Sequence, residues 1–334
     1  MKPWSLVGHD WAVQQLRHAV AQDDAPHALL ITGPQSVGKQ TLAQQLVSTL
    51  LCRAEAADDR PCGTCLSCRK LTSGNHPDHL AVAPEDAKAR LKIERIREVE
   101  RFLALTPIES PCKVALIGDF ERATIGAANA LLKTLEEPPS YAHIILLATD
   151  ADLLLPTIVS RAQQIVLRPL PSRLIADALV DRWDVEPGLA ARLARISGGR
   201  MGWAVRAATE PGVYERMQGA LERLVTVLGE ALPARFVTAK EMAKERDALT
   251  ETLEIWLTLW RDVLLLHLDG GGALTHRDHR RIIEVIVRGT DVGQVVGVLT
   301  ALDDAQSALT ANANAQLLVE NLLLNLPAVD TDQL

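Results

Sequence analysis

Residues 33–41 read Gly33-Pro34-Gln35-Ser36-Val37-Gly38-Lys39-Gln40-Thr41. The pattern is that of a phosphate-cradling loop, met at Gly33, Gly38 and Lys39 and broken at Gln40, where a Ser or Thr hydroxyl would ligate Mg²⁺. Apolar Ala28-Leu29-Leu30-Ile31 runs directly into the loop, and Thr41 to Leu51 follows with helical apolar spacing at Leu42, Leu46, Val47 and Leu50. Strand, loop and helix in that order are what such a loop requires. Gln40 has no hydroxyl, so the loop predicts an anion cradle without its usual hold on the metal.

Further short apolar runs at Lys113–Ile117, Ile144–Ala148 and Ile165–Leu167 predict strands. The run Ala127–Glu137 predicts a helix stopped by Pro138-Pro139. Strands alternating with helices imply a parallel sheet covered on both faces. After Pro169-Leu170-Pro171 only helical periodicity remains, with breaks at Pro187-Gly188, Gly198-Gly199, Pro211-Gly212 and Gly270-Gly271-Gly272. The expected organisation is an α/β P-loop domain over 1–168, a small helical domain over 169–210 and an all-α domain over 211–334. A stripe at Trp256, Leu259, Trp260, Val263 and Leu264 reads as core or subunit interface.

Four of the five cysteines fall at Cys52, Cys62, Cys65 and Cys68. Two-residue spacers let neighbouring thiolates reach one ion, and four sulfurs suit tetrahedral Zn²⁺. A site closed by four sulfurs leaves no open coordination position, so the expected role is structural. Gly63 and Ser67 would allow the tight turns. His76 and His79 compete as ligands, although His76-Pro77-Asp78 reads better as a loop before the next strand. Cys112 stands alone and reads as an inert thiol.

After the strand at Val114–Ile117, Gly118 and Asp119 occupy the places where an ATPase keeps one acid for Mg²⁺ and a second to activate water. Together with Gln40, Gly118 removes both usual protein handles on the metal. Ser160-Arg161-Ala162 precedes the predicted strand at Ile165, which would project Arg161 from the end of the α/β domain, where an arginine can reach a neighbour's nucleotide. The net charge of −7 and the absence of an aromatic and basic cluster disfavour a chain that grips DNA over its whole surface. The charged run Lys88–Arg101 (Lys92, Arg95, Arg97, Arg101 among Glu94, Glu98, Glu100) reads as a solvated helix face, with a minor DNA or partner contact as the alternative. Without an apolar run of signal-peptide or membrane-spanning length, a cytoplasmic protein is expected.

Taken in order, the loop, the four-cysteine insertion, Asn129-Ala130-Leu131-Leu132-Lys133-Thr134-Leu135-Glu136-Glu137-Pro138-Pro139 and Ser160-Arg161 resemble the bacterial clamp-loader AAA+ family of DNA polymerase III subunits, over roughly residues 5–205. The resemblance implies a lid domain at 169–210, a helical collar at 211–334, and a place in a ring with gamma/tau ATPase subunits and a delta subunit. That ring would load a sliding clamp onto primed DNA. It implies Arg161 acting in trans on a neighbour's ATP, a Zn²⁺ site at the four cysteines, and Gly33, Gly38, Lys39 and Thr41 as contacts for ATP or ADP held without turnover. The family's motor members carry a hydroxyl at 40, acids at 118 and 119 and a second sensing arginine after a Gly-Ser pair. Here the corresponding segment is Ser197-Gly198-Gly199-Arg200-Met201-Gly202, with Gly202 at the arginine's place and Arg200 two positions early. These departures resemble the family's non-hydrolysing stator. Asn312-x-Asn314 and Trp260-Arg261-Asp262-Val263-Leu264 are similar to its C-terminal segments, and Ala162 departs from the usual Ser-Arg-Cys. Two alternatives stay open from the sequence: a divergent gamma/tau-type ATPase, in which Thr41 or Asp119 replaces the missing metal ligands, and a zinc-bearing DNA-binding module.

Overall fold

The computed structural model describes residues 4, 6–85, 89–244, 246–270, 274–310 and 313–329. Lys88, Gly271, Gly272 and Asn312 lie outside them. The chain forms two compact units, Met1–Ala204 and Val205–Leu334.

The first unit is built on five parallel strands, β1 (Ala28–Thr32), β2 (His79–Val82), β3 (Lys113–Ile117), β4 (Ala142–Ala148) and β5 (Gln163–Val166), in the order β2-β3-β4-β1-β5. Around them lie α1 (Asp10–Ala21), α2 (Lys39–Leu50), α3 (Leu66–Thr72), α4 (Ile93–Ala104), α5 (Ile125–Glu136) and α6 (Pro156–Val159). The segment then continues through α7 (Ser172–Trp183), α8 (Pro187–Ile196) and α9 (Met201–Thr209), and the division between the units falls inside α9.

Every residue of β1 and β3 is buried, and apart from Thr32 and Lys113 at their ends the runs are apolar and not alternating, as a sheet covered on both faces demands. Side chains still alternate between two cores. Leu29, Ile31, Val114, Leu116, Ile145 and Leu147 pack with α1 and α2 on one face. Leu30, Ala115, Ile117, Ile144 and Leu146 pack with α4 and α5 on the other. This is the α/β P-loop class that the sequence predicts. Strand β2 follows the His76-Pro77-Asp78 loop, where the sequence places a strand without bounds. On α4, Ile96, Val99 and Leu103 face the core while Lys92, Arg97 and Arg101 are exposed, so the basic run is one face of an amphipathic helix.

The second unit is helical among its described residues: α10 (Val213–Gly229), α11 (Leu232–Met242), α12 (Arg246–His267), α13 (Arg280–Gly289), α14 (Val292–Thr310) and α15 (Ala315–Asn325). Trp256, Leu259, Trp260 and Val263 are fully buried in it. These four are core, Leu264 is half-buried, and Trp256 Nε1 donates to Ala220 O at 2.8 Å. Asp262, which interrupts the apolar run, is also fully buried and accepts from Thr275 N at 2.9 Å and His276 N at 2.6 Å. Among the described residues no helix is long and apolar enough to cross a membrane.

Candidate functional site

The phosphate-type loop sits where β1 ends and α2 begins. Gly38 caps α2 with φ 119°. Gly33 has φ 144°, and a Cβ there would lie 2.3 Å from Leu167 O, so only glycine lets the loop pass the end of β5. Lys39 is the first residue of α2, yet its ammonium turns back on the loop: Nζ donates to Gly33 O and, at 2.9 Å, to Pro34 O. Burial pushes the Lys39 pKa below its ordinary value, and the carboxylates of Glu121 and Asp119 oppose that shift. Gln40 is exposed.

Glu121, missed in the sequence, and Gly202, singled out there, complete this corner. Glu121 follows the β3 end and accepts from Thr149 at the β4 end, from Oγ1 at 2.5 Å and from N at 3.2 Å. An acid two positions after Asp119 was the available signal. Gly202, on α9, donates its backbone N–H to Ser36 O at 2.7 Å, and a Cβ at 202 would stand 3.0 Å from that oxygen. Position 202 is a point of close backbone approach to the loop. Arg200 Nε donates to Ser197 O at 2.9 Å. The lysine, the acids and the small helical segment thus answer one another inside this chain, at the carboxyl ends of the strands where α/β folds place ligands.

The four cysteines converge. Their sulfurs all lie within 4.8 Å of one another, and Cys62 Sγ is 4.0 Å from Cys68 Sγ. Tetrahedral coordination with metal–sulfur bonds near 2.3 Å puts sulfurs about 3.8 Å apart, so the cluster fits one ion. Backbone N–H groups point at the sulfurs: Cys62 N to Cys52 Sγ at 3.3 Å, Cys65 N to Cys62 Sγ at 3.3 Å and Cys68 N to Cys65 Sγ at 3.4 Å. Amides at Thr64 and Cys65 draw the Cys62 thiol down to about 6, while burial pushes Cys68 up to about 12. The cluster can therefore hold a metal ion, with N–H donors already aimed at bound thiolates.

The histidines do not join it. His76 Nε2 lies 2.6 Å from Ser67 Oγ, and its Nδ1 accepts from Asp78 N at 3.0 Å. His79 Nδ1 lies 3.1 Å from Val114 O. Ser67 is a residue of α3 and not a turn; its hydroxyl also lies 3.0 Å from Ser110 Oγ. This network seats the cysteine segment against the sheet edge. Asp78, fully buried, accepts from Ile108 N, Glu109 N and Ser110 N at 2.7–2.9 Å and lies 3.9 Å from Lys113 Nζ. Burial pushes its carboxyl upward, but the three amides and Lys113 outweigh that and the pKa falls. Cys112 is buried, and burial raises its thiol to about 12, which makes it inert.

Arg161 lies just beyond α6, half-buried, in a cleft of about 500 Å³ lined by His27, Leu135, Glu136, Ser160 and Arg161. Its Nη1 donates to Thr157 O at 2.9 Å. Glu136 Oε1 is 2.5 Å from its Nη2.

A relative from Pseudomonas aeruginosa, DNA polymerase III subunit delta-prime, is 31% identical over 89% of this chain and 90% of its own length. The chain belongs to the DNA polymerase III delta-prime family. The family model described as DNA polymerase III, delta subunit matches residues 8–171. Delta-prime of Bacillus subtilis is 29% identical over 93% of this chain and 94% of its own length. DNA polymerase III subunit tau of Bacillus subtilis is 30% identical over 59% of this chain and 35% of its own length. Similarity to delta-prime thus runs nearly end to end, while similarity to tau covers a smaller part of both chains.

Proposed function

We propose that this delta-prime chain is a non-hydrolysing stator of the polymerase III clamp loader, which supplies Arg161 to the ATP bound by a neighbouring gamma/tau-type subunit. The observation that supports it best is the loop closed on itself. Lys39 Nζ is bonded to the Gly33 and Pro34 carbonyls, so the ammonium that would meet a phosphate already has partners within its own loop, and Ser36 O accepts from Gly202 N–H beside it. Gln40 and Gly118 add no metal ligand, and phosphoryl transfer depends on that metal. Gly33, Gly38, Lys39 and Thr41 remain the contacts for any nucleotide held without turnover. On this reading residues 1–168, 169–210 and 211–334 act as P-loop-type domain, lid and collar. The collar joins the ring of gamma/tau and delta subunits, and the ring carries the sliding clamp to primed DNA. The ion at Cys52, Cys62, Cys65 and Cys68 is structural Zn²⁺.

The test is the Arg161→Ala variant in the reconstituted complex with clamp and primed DNA. An arginine acting on transferring phosphate carries a large part of the rate, so ATP hydrolysis and clamp loading are expected to fall on the order of tenfold or more, with assembly intact by gel filtration. Unchanged rates would remove the trans role. Turnover by the purified chain alone that disappears in Lys39→Ala would instead make it a motor.

A further inference from the structure

The stretch Asn129 to Pro139 has a task beyond ending a helix. α5 stops at Glu136, ahead of Pro138-Pro139. An acid in the last turn of a helix faces the helix's own exposed carbonyls, which disfavour negative charge. Glu136 stands there all the same, and its carboxylate is taken up by Arg161 at 2.5 Å.

The guanidinium is tied at both terminal nitrogens. Nη1 donates to Thr157 O at 2.9 Å and to Ser160 Oγ at 3.4 Å, and Nη2 meets Glu136. Thr157 and Ser160 belong to α6 and its C-cap, whereas Glu136 comes from α5. A guanidinium has five N–H donors in one rigid plane. Fixing that plane from two elements leaves donors for an incoming anion and settles their direction beforehand. A long side chain that is already ordered loses less freedom on meeting its target, and small misplacements of a catalytic group cost rate steeply. Half-exposed ion pairs contribute little to stability, so an effect on turnover can be separated from an effect on folding.

We propose that Glu136 is a positioning residue for Arg161: it holds the guanidinium in the orientation from which it meets the terminal phosphate of a nucleoside triphosphate on the neighbouring subunit, and shares it with that phosphate. This rests on the trans role of Arg161 given above.

The experiment measures steady-state ATP hydrolysis over a range of ATP concentrations by the reconstituted complex, with clamp and primed DNA. It compares the unaltered chain with Glu136→Ala, Glu136→Gln, Arg161→Ala and the double variant Glu136→Ala/Arg161→Ala. Glu136→Ala is expected to lower kcat roughly threefold to tenfold with little change in KM and an unchanged thermal midpoint. Glu136→Gln keeps an acceptor oxygen at the same reach and recovers part of the loss. In the Arg161→Ala background, Glu136→Ala has no further effect. Losses that multiply in the double variant overturn the positioning role. So does a kcat for Glu136→Ala that is unchanged or higher while Arg161→Ala is impaired; both outcomes leave the trans arginine standing. Full turnover in Arg161→Ala overturns the trans reading itself.

Discussion

Withdrawing the zinc that we propose at Cys52, Cys62, Cys65 and Cys68 is expected to melt the segment between Arg53 and Leu66 and to leave the sheet folded. Besides the sulfurs, the segment is held by polar contacts to backbone carbonyls: Arg60 Nε to Ala54 O at 2.7 Å, Arg60 Nη2 to Glu55 O at 3.3 Å and Arg17 Nη2 to Asp58 O at 3.0 Å. Its regular structure is a single 3₁₀ turn at Ala57–Asp59, and none of those three residues is buried. Leu66 is exposed, and Cys62 and Cys65 are only half-buried. Structural zinc in small modules contributes on the order of 10 kcal/mol at neutral pH, comparable to the whole stability of a domain, about 5–15 kcal/mol. The loss should stop at the edge of the module, because the Ser67, His76 and Ser110 network and the Asp78 clamp do not use the sulfurs. Hydrogen exchange followed by mass spectrometry on the full chain, before and after a strong chelator under reducing conditions, checks this. Amides of 53–66 should lose protection while those of β1, β3 and β4 keep theirs. About one equivalent of zinc should be released as four thiols become reactive. Four reactive thiols with no metal released would rule out the site.

The cysteine site and the loop were legible because each is written in a few neighbouring residues. The strands were legible in proportion to their burial. Apart from Lys113 itself, the central runs that begin at Ala28, Lys113 and Ile144 are apolar because the sheet is covered on both sides. The edge strands were not as clear. β5 begins two residues before the apolar run because Gln163 and Gln164 are exposed, and β2 buries only Val82 fully. α5 starts at Ile125, with Thr124 Oγ1 accepting from Ala127 N at 3.2 Å. Ile125 faces solvent, so the apolar spacing begins only at Ala127.

What the sequence withheld are partnerships across long stretches of chain. Glu121 with Thr149, Asp78 with residues 108–110, Gly202 with Ser36 and Glu136 with Arg161 each join segments that no local pattern connects. The same residues decide the chemistry of the site. The lysine of the phosphate-type loop, for instance, is bonded to carbonyls of its own loop, which no local pattern announces.

Arg235→Ala is expected to cost the second unit about 3–5 kcal/mol, the range for removing one partner of a buried charged group. In sequence Arg235 looks like an ordinary helix-surface arginine, but it is 3% exposed. Its Nη1 donates to Leu323 O at 2.8 Å and Leu326 O at 2.7 Å. Nη2 reaches Leu228 O at 3.4 Å and Pro327 O at 3.3 Å, and Nε reaches Glu230 O at 3.2 Å. These carbonyls lie at the ends of α10 and α15, where unpaired C=O groups accumulate partial negative charge. Burial draws the guanidinium's pKa down and Glu230 opposes it; the carbonyl cage keeps the charge solvated in place of water. Alanine would leave several buried acceptors without donors, each costing on the order of 1–3 kcal/mol, partly recovered by water entering the space. Lysine brings three donors from a single point and no planar fork, so Arg235→Lys should recover less than half of the loss. Urea unfolding of the full chain, followed through Trp256 and Trp260, gives the comparison, since both indoles are buried in this unit. A change below about 1 kcal/mol in Arg235→Ala would mean that the carbonyls find water easily and that the arginine is not what joins α11 to the ends of α10 and α15. A change of the expected size, with Arg235→Ala failing to enter the complex while Arg161→Ala still does, would support the assembly role proposed for this unit separately from the turnover role proposed for Arg161.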